Sequence, residues 1–218
     1  MSPTLDVVDR WEGGISWTLE GDKMTRMSHA LVTEAGVWLI DPLDAPGLDE
    51  ELETLGEVAG VTLLLDRHTR DTEMLARRYD VPVSLPAALA PVAKELTVES
   101  KRYTETLPGT NYRTIPLTTN RLWREVALFD AESRTLVVPE AIGTNDIFTT
   151  ADERLGVHPG LRLFPPRAQL ENLNPAQILV GHGAGVFDDA ASALRAALRD
   201  SRRNAPRIFA KAAMLPFR

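Results

Sequence analysis

Short apolar runs separated by polar turns dominate the first 41 residues of the chain. Four of these runs predict β-strands, at residues 5–11, 15–19, 29–33 and 37–41. Glu34, Ala35 and Gly36 join the last two runs, and a short connection that contains glycine is typical of a hairpin. The chain is therefore predicted to begin with antiparallel sheet.

The pattern then changes to alternating helices and strands. Apolar residues recur every three to four positions over 47–58, which predicts an amphipathic helix. The continuous apolar run 61–65 is typical of a strand buried on both faces. A helix over 71–79 and a short strand at 81–83 follow, and this alternation indicates an α/β protein.

Residues 86–108 form a connection that contains several prolines and one short predicted helix, at 89–96. The second half of the chain then repeats the same order of elements. The later predicted elements are strands at 112–117, 124–130, 135–138 and 178–180, a proline-rich loop at 158–166, and a helix from Asp188–Asp189 to about Arg203. We expect one domain over residues 1–218, since nothing in the join marks a domain boundary.

Composition narrows the classes of function. The formal net charge of −7 and a pI near 5.2 disfavour attraction to nucleic acid or to an anionic membrane. The absence of cysteine excludes disulfides, thiolate metal ligands and a cysteine nucleophile. The sequence has neither a signal-peptide pattern nor an apolar run of membrane-spanning length, so we expect a cytoplasmic protein.

Four segments in this order resemble the metallo-β-lactamase superfamily. They are HALVTEAGVWLIDPLDAPG (29–47), LDRHTRDTEMLARRYDVPV (65–83), EVALFDAESRTLVVPEAIG (125–143) and ILVGHGAGV (178–186). The resemblance implies an α/β (α+β) fold, a four-layer αβ/βα sandwich in which two mixed β-sheets are flanked by helices. It also implies a cleft that holds one or two divalent metals, usually zinc, and catalyses hydrolysis.

The family's H-x-H-x-D-H motif is poorly kept. In the preferred register the matching segment is 67–72, with Arg67 and Thr69 in the first two His positions, Asp71 as the only retained ligand and Thr72 in the last position. His68 is then a spacer. A second register, 66–71, keeps His68 as a ligand but places Arg70 at the motif's Asp position.

Of the family's other ligand positions, some are replaced in this sequence and one is retained. The resemblance places Arg121, or Asn120, where the family has a further His, and Glu140 where it has a bridging Asp. His182 of the Gly-His-Gly turn is retained, and Asp41 matches a buried acid beneath the metal site. If a metal binds, the resemblance implies Asp71, Glu140 and His182 as its ligands.

Each of these residues also has a purely structural interpretation. His182 could cap backbone groups in a tight turn, Asp71 could cap a helix, and Asp41 could open the turn before Pro42. Arg67 and Arg121 could supply the positive charge that a metal would otherwise bring to the carboxylates. Thr69, Thr72 and His68 could form a site of another geometry.

Two functions from different classes follow. In the first, most metal ligands are replaced, no cofactor is expected, and a non-catalytic or atypical protein binds a small anionic ligand in the vestigial cleft. In the alternative, one metal ion, zinc or another divalent ion, supports hydrolysis of an ester, thioester or phosphodiester. The apolar segment 208–217 and the surface around Trp123 also suggest a homodimer.

Overall fold

Two mixed β-sheets form the centre of the structure, a computed structural model that describes residues 4–214, with side chains to residue 211. The strands are β1 (Leu5–Trp11), β2 (Gly14–Leu19), β3 (Ser28–Thr33), β4 (Gly36–Ile40), β5 (Val58–Thr62), β6 (Val83–Pro86), β7 (Ser100–Tyr103), β8 (Arg113–Asn120), β9 (Trp123–Asp130), β10 (Thr135–Val138), β11 (Ile142–Gly143), β12 (Gly156–Val157) and β13 (Gln177–Val180). The α-helices are α1 (Leu48–Leu55), α2 (Thr72–Arg78), α3 (Arg167–Leu170) and α4 (Ala190–Met214). Two 3₁₀ segments, Ala87–Lys94 and Pro159–Leu161, complete the elements.

The first sheet contains β1 to β7 in chain order. Strands β1 to β4 are antiparallel, whereas β4 to β7 are parallel. The second sheet has the order β13-β10-β9-β8, in which β13 lies parallel to β10 and the other pairs are antiparallel. Both sheets are therefore mixed, as predicted.

Alternation of side chains along the strands produces three apolar layers. In β4, Val37 and Leu39 pack towards the helices of the first sheet, and Trp38 and Ile40 face the second sheet. Buried residues of α1 and α2 complete the first outer layer, and those of α3 and α4 form the layer outside the second sheet. The four-layer αβ/βα sandwich predicted from the sequence is confirmed.

Several element boundaries differ from the predictions. The helix predicted over 47–58 ends at Leu55, because Gly56 has φ of +134° and Val58 already belongs to β5. The buried run 61–65 is only partly strand, since β5 ends at Thr62. The short helix predicted at 89–96 is a 3₁₀ segment.

The last helix is longer than predicted. α4 continues beyond Arg203 to Met214 and contains Pro206, because Ala205 and Ile208 remain buried against the body of the protein. Part of the apolar segment proposed as a dimer surface thus lies inside the fold, and its residues 215–217 lie outside the described residues. Within the described residues, no helix is long and apolar enough to cross a membrane.

Candidate functional site

The candidate site lies where strands of both sheets end. β10 and β13 are parallel neighbours, so Glu140, two residues after β10, and His182, two residues after β13, reach the same edge. β4 and β5 are also parallel, and they bring Asp41 and the segment 63–71 to the facing edge of the first sheet. Ligand sites in α/β folds commonly form at such carboxyl ends of strands.

Glycines on both sides of His182 allow this close approach. A Cβ atom at Gly181 would lie 1.9 Å from the Pro139 carbonyl oxygen, so only glycine fits beside the strand end that carries Glu140. Gly183 has φ of +93°, a left-handed conformation that side chains disfavour. The Gly-His-Gly turn therefore holds His182 next to Glu140.

His68 is fixed by a buried carboxylate. Its Nδ1 lies 2.9 Å from Oδ2 of Asp41, and the other oxygen of Asp41 accepts the Leu64 N–H at 2.8 Å. Since a carboxylate only accepts, the proton of a neutral His68 resides on Nδ1, and Nε2 carries a free lone pair. That Nε2 lies 3.2 Å from Oε2 of Glu140.

His182 has the same tautomer for a different reason. Its Nδ1 lies 3.0 Å from the Met24 carbonyl oxygen, which also only accepts. Its Nε2 is directed at the same Glu140 Oε2, again at 3.2 Å. Two imidazole nitrogens and one carboxylate oxygen, all buried and all within 4.8 Å of one another, thus meet at one point.

Glu140 itself is held ionised. Burial would raise the pKa of its carboxyl group, but His182 and His68, with their rings protonated, outweigh burial and lower it. Its backbone is also fixed, since Oε1 of Glu125 accepts the N–H groups of Glu140 (2.9 Å) and Ala141 (2.7 Å). Glu125 is completely buried, and this burial raises its pKa to about 7.

His158 is a third imidazole beside Glu140. Its Nδ1 accepts the Gly160 N–H at 3.0 Å, so the proton of the neutral ring resides on Nε2, which lies 3.4 Å from Oε1 of Glu140. The ring packs edge-on against Trp123 and Phe148. Burial lowers the pKa of His158 to about 4. This histidine therefore lies beside the second oxygen of Glu140.

Two arginines border the cluster. Arg70 is largely enclosed, and its Nη1 donates to the carbonyl oxygens of Met27 (2.5 Å) and Asp41 (2.7 Å). Arg67 is more exposed, and its guanidinium lies 4.4 Å from the centre of the Trp123 ring. Positive charge thus lies on both sides of the carboxylates.

The structure brings together some of the predicted site residues. Asp41, His68, Glu140 and His182 meet, with Arg67 at their margin. Asp71 lies apart: it occupies the N-cap position of α2, and its Oδ2 accepts the Asp44 N–H at 2.8 Å. Among the described residues, the group able to hold a metal is therefore His68, Glu140 and His182 rather than Asp71, Glu140 and His182.

The remaining predicted residues lie outside this group. Thr69 and Thr72 form the turn into α2, where the Thr69 carbonyl accepts the Thr72 N–H. Arg121 is exposed at the tip of the β8–β9 hairpin. His158, Glu125 and Arg70 also lie at the site, although no pattern in the sequence indicated a role for them there.

The register of the motif changes accordingly. His68 is not a spacer but a member of the cluster, which corresponds to the register 66–71. In that register Asp66 and Asp71 occupy His positions, and Arg70 takes the place of the motif's Asp. The match to the metal-binding motif is therefore incomplete: most of its residues are replaced, and the one histidine that is kept fits only the second register.

Comparisons with known proteins give a consistent fold. No protein-family model and no curated protein matches the sequence. Among solved structures, a fragment of the putative diflavin flavoprotein A 5 from Nostoc sp. PCC 7120 matches with a TM-score of 0.62 and 12% identity, over 93% of this chain and 98% of that chain. A metallo-β-lactamase from Pontibacter korlensis matches with a TM-score of 0.59 and 16% identity, over 90% of this chain and 100% of that one.

A third solved structure is of a protein described as TTHA1623 in a di-iron-bound form. It matches with a TM-score of 0.55 and 20% identity, over 78% of this chain and 93% of that chain. These likenesses, together with the two mixed sheets and their outer helices, show that the chain has the metallo-β-lactamase fold.

Proposed function

We propose that this protein binds one divalent metal ion on His68, Glu140 and His182 and uses it for hydrolysis. The observation that carries the proposal is the convergence of two Nε2 atoms on one Glu140 oxygen, at 3.2 Å each. Both imidazoles have their Nδ1 protons committed to acceptors elsewhere. Three electron-pair donors therefore face one another.

Such an arrangement requires positive charge at its centre. Three lone pairs at these distances repel one another unless a metal ion or additional protons lie between them. In tetrahedral zinc sites the metal–nitrogen distance is about 2.05 Å, which places neighbouring ligand atoms about 3.3 Å apart. The two distances of 3.2 Å agree with this spacing. The donor set therefore fits zinc.

The surrounding residues would orient the ligands. Asp41 and the Met24 carbonyl fix the two imidazoles, as acceptors behind metal-binding histidines commonly do. Nε2 of His158 lies 3.4 Å from Oε1 of Glu140, so Oε2 is the oxygen that faces His68 and His182. Glu125 holds the backbone that carries Glu140. These partners fix each ligand atom in place.

Three protein ligands leave a coordination position for water or substrate, which is typical of catalytic zinc sites. When bound there, zinc lowers the pKa of water towards neutrality and polarises a substrate oxygen. Hydrolysis of an ester, thioester or phosphodiester is the reaction class that this chemistry supports. The neighbours named as a metallo-β-lactamase and as a di-iron-bound protein support metal chemistry on this fold.

A metal-free binding protein is the second candidate. Arg70 stands where the motif has an Asp, and its guanidinium already places a cation beside Asp41. In that case His68 and His182 would both be protonated and would donate to Glu140. The cleft would then bind a small anion without catalysis.

Metal content distinguishes the two candidates. We expect wild-type protein, dialysed against zinc and then against metal-free buffer, to retain about one zinc per chain by elemental analysis, as three such ligands imply. His68→Ala and His182→Ala should lose it. Asp71→Asn is the matched control and should retain zinc, because Asp71 holds only the Asp44 N–H.

Two results would overturn the proposal. One is wild-type protein that binds no zinc, and the other is zinc that survives both histidine substitutions. Loss of zinc in Asp71→Asn alone would instead restore the ligand set predicted from the sequence.

A further inference from the structure

Arg67 lies over the ring of Trp123 at the margin of the cluster. Its guanidinium carbon lies 4.4 Å from the centre of the Trp123 ring. Trp123 is itself fixed, because its Nε1 donates to Oε2 of Glu125 at 2.7 Å and His158 packs edge-on at 4.7 Å. The Arg67 guanidinium therefore lies over an aromatic ring that is itself anchored.

The hydrogen-bonding capacity of this guanidinium is unused. Its nearest acidic oxygens are Oδ1 of Asp66 at 3.7 Å and Oε1 of Glu140 at 3.8 Å, both beyond hydrogen-bond distance. Over residues 4–214, Arg67 makes no side-chain hydrogen bond, and 42% of its side chain is exposed. Arg162, by contrast, binds both oxygens of Glu153. Arg67 thus makes two long ion-pair contacts, and its N–H groups have no hydrogen-bond acceptor among the described residues.

The nearby carboxylates are already satisfied by other groups. Asp66 accepts the Arg124 N–H at 3.0 Å. Glu140 faces His68 and His182 through one oxygen and His158 through the other. Arg67 is thus not needed to neutralise either residue, and its N–H groups remain available to a molecule that enters the cleft.

We propose that Arg67 is the specificity residue of the site and binds an oxyanion, a carboxylate or a phosphate, on the substrate. A planar guanidinium binds such groups through two parallel hydrogen bonds of about 2.8 Å. Because Arg67 adjoins Glu140, the anionic group lies close to the bond that is cleaved. This inference rests on the proposed hydrolytic function and names its substrate class.

Local charge supports an anionic substrate despite the net charge of −7. Arg67 and Arg70 both border the cleft, and a divalent ion on Glu140 would add two further positive charges. An oxyanion entering between Arg67 and the metal position would meet positive charge from both sides.

The test is calorimetric titration of the zinc-loaded protein with inorganic phosphate, succinate and the neutral analogue succinamide. We expect phosphate or succinate to bind and succinamide not to bind. Arg67→Gln should weaken anion binding about 10- to 100-fold, the usual effect of losing a hydrogen bond to a charged group. Arg67→Lys should recover part of the affinity, because it keeps the charge but loses the planar fork.

Arg121→Gln is the matched control, since Arg121 is an exposed arginine only two residues from Trp123. It should bind the anions as wild type does. The proposal is overturned if neither anion binds up to about 10 mM, a very weak affinity, or if Arg67→Gln binds them as tightly as wild type. The tighter of the two anions identifies the substrate's charged group as carboxylate or phosphate.

The same titration on zinc-free protein separates this inference from the proposed function. If zinc does not bind but anion affinity still depends on Arg67, the hydrolytic function fails and the anion site stands. If zinc binds and Arg67 has no effect, the anion site fails and the metal site stands.

Discussion

Glu140 is the side chain on which the cleft converges. Three imidazoles contact its two oxygens. A second carboxylate, that of Glu125, accepts a hydrogen bond from the backbone N–H of Glu140. Burial raises the pKa of both acids, but in Glu140 the neighbouring histidines outweigh it. The pKa of Glu140 is lowered by its histidines, whereas the pKa of Glu125 is raised to about 7 by burial.

The raised pKa of Glu125 predicts a pH-dependent stability. In the unfolded chain this carboxyl group loses its proton near its ordinary pKa of 4.5, but in the fold it keeps the proton until about pH 7. The folded state therefore binds more protons between these values, so its stability falls as pH rises through the window. The loss is on the order of 3 kcal/mol across the window.

Glu125→Gln should reduce this fall, because a neutral amide does not titrate. The measurement is urea unfolding between pH 4.5 and 8 in the presence of a chelator, which keeps metal from altering the titration. Glu132→Gln, at an exposed turn, serves as the control and should follow wild type. If the free energy of unfolding depends on pH equally in wild type and Glu125→Gln, Glu125 is ionised over the whole range from pH 4.5 to 8.

Individual site residues were only partly predictable from the sequence. The resemblance to the family points to His182 and Glu140, and both lie in the cluster. The choice between Asp71 and His68 is not evident, because it depends on the path of the turn 63–71. Arg70 in this turn and Asp41 just after β4 both have positive φ, which no hydrophobic pattern reveals.

At the scale of elements, the segment 144–162 places His158 beside the cleft through one buried ion pair. Arg162 has no exposed side-chain surface and binds both oxygens of Glu153, at 2.9 and 2.8 Å. It also donates to the carbonyl oxygens of Phe148 and Val157. One arginine therefore ties together a segment that has little regular secondary structure.

Arg162→Met should destabilise the protein by about 3 kcal/mol or more, because it leaves Glu153 buried without its partner. Chemical denaturation at pH 7 measures this loss. The double variant Arg162→Met with Glu153→Gln should recover part of it, since the unpaired charge is then removed. Additive effects of the two substitutions would indicate that the pair is not coupled.

Elements with strong apolar periodicity were predictable, and short polar ones were not. β10 has the predicted bounds, and the hairpin between β3 and β4 forms around the predicted connection. β7 has two exposed residues among four, and β11 and β12 contain two residues each, so none of the three has a detectable pattern. Their pairing depends on the rest of the fold.

At the scale of the whole molecule, the candidate metal ligands come from both halves of the sandwich. His68 follows the strands of the first sheet, whereas Glu140 and His182 follow strands of the second. The four-layer order was predictable from the resemblance of four segments, in the same order, to the metallo-β-lactamase superfamily. How the two sheet edges meet at the cleft was not, since it depends on contacts between residues more than 40 positions apart, such as His68 and Glu140.

A metal that bridges the two sheets should stabilise the entire fold, because it binds the folded chain and not the unfolded one. At free zinc 100 times its dissociation constant, the expected gain is about 2.7 kcal/mol. For a chain of 218 residues this corresponds to a rise in Tm of roughly 5 to 11 °C. Differential scanning calorimetry with zinc and with a chelator measures the shift, and His182→Ala should show almost none. A similar rise in His182→Ala would mean that zinc stabilises the protein elsewhere, because that variant lacks one of the three proposed ligands.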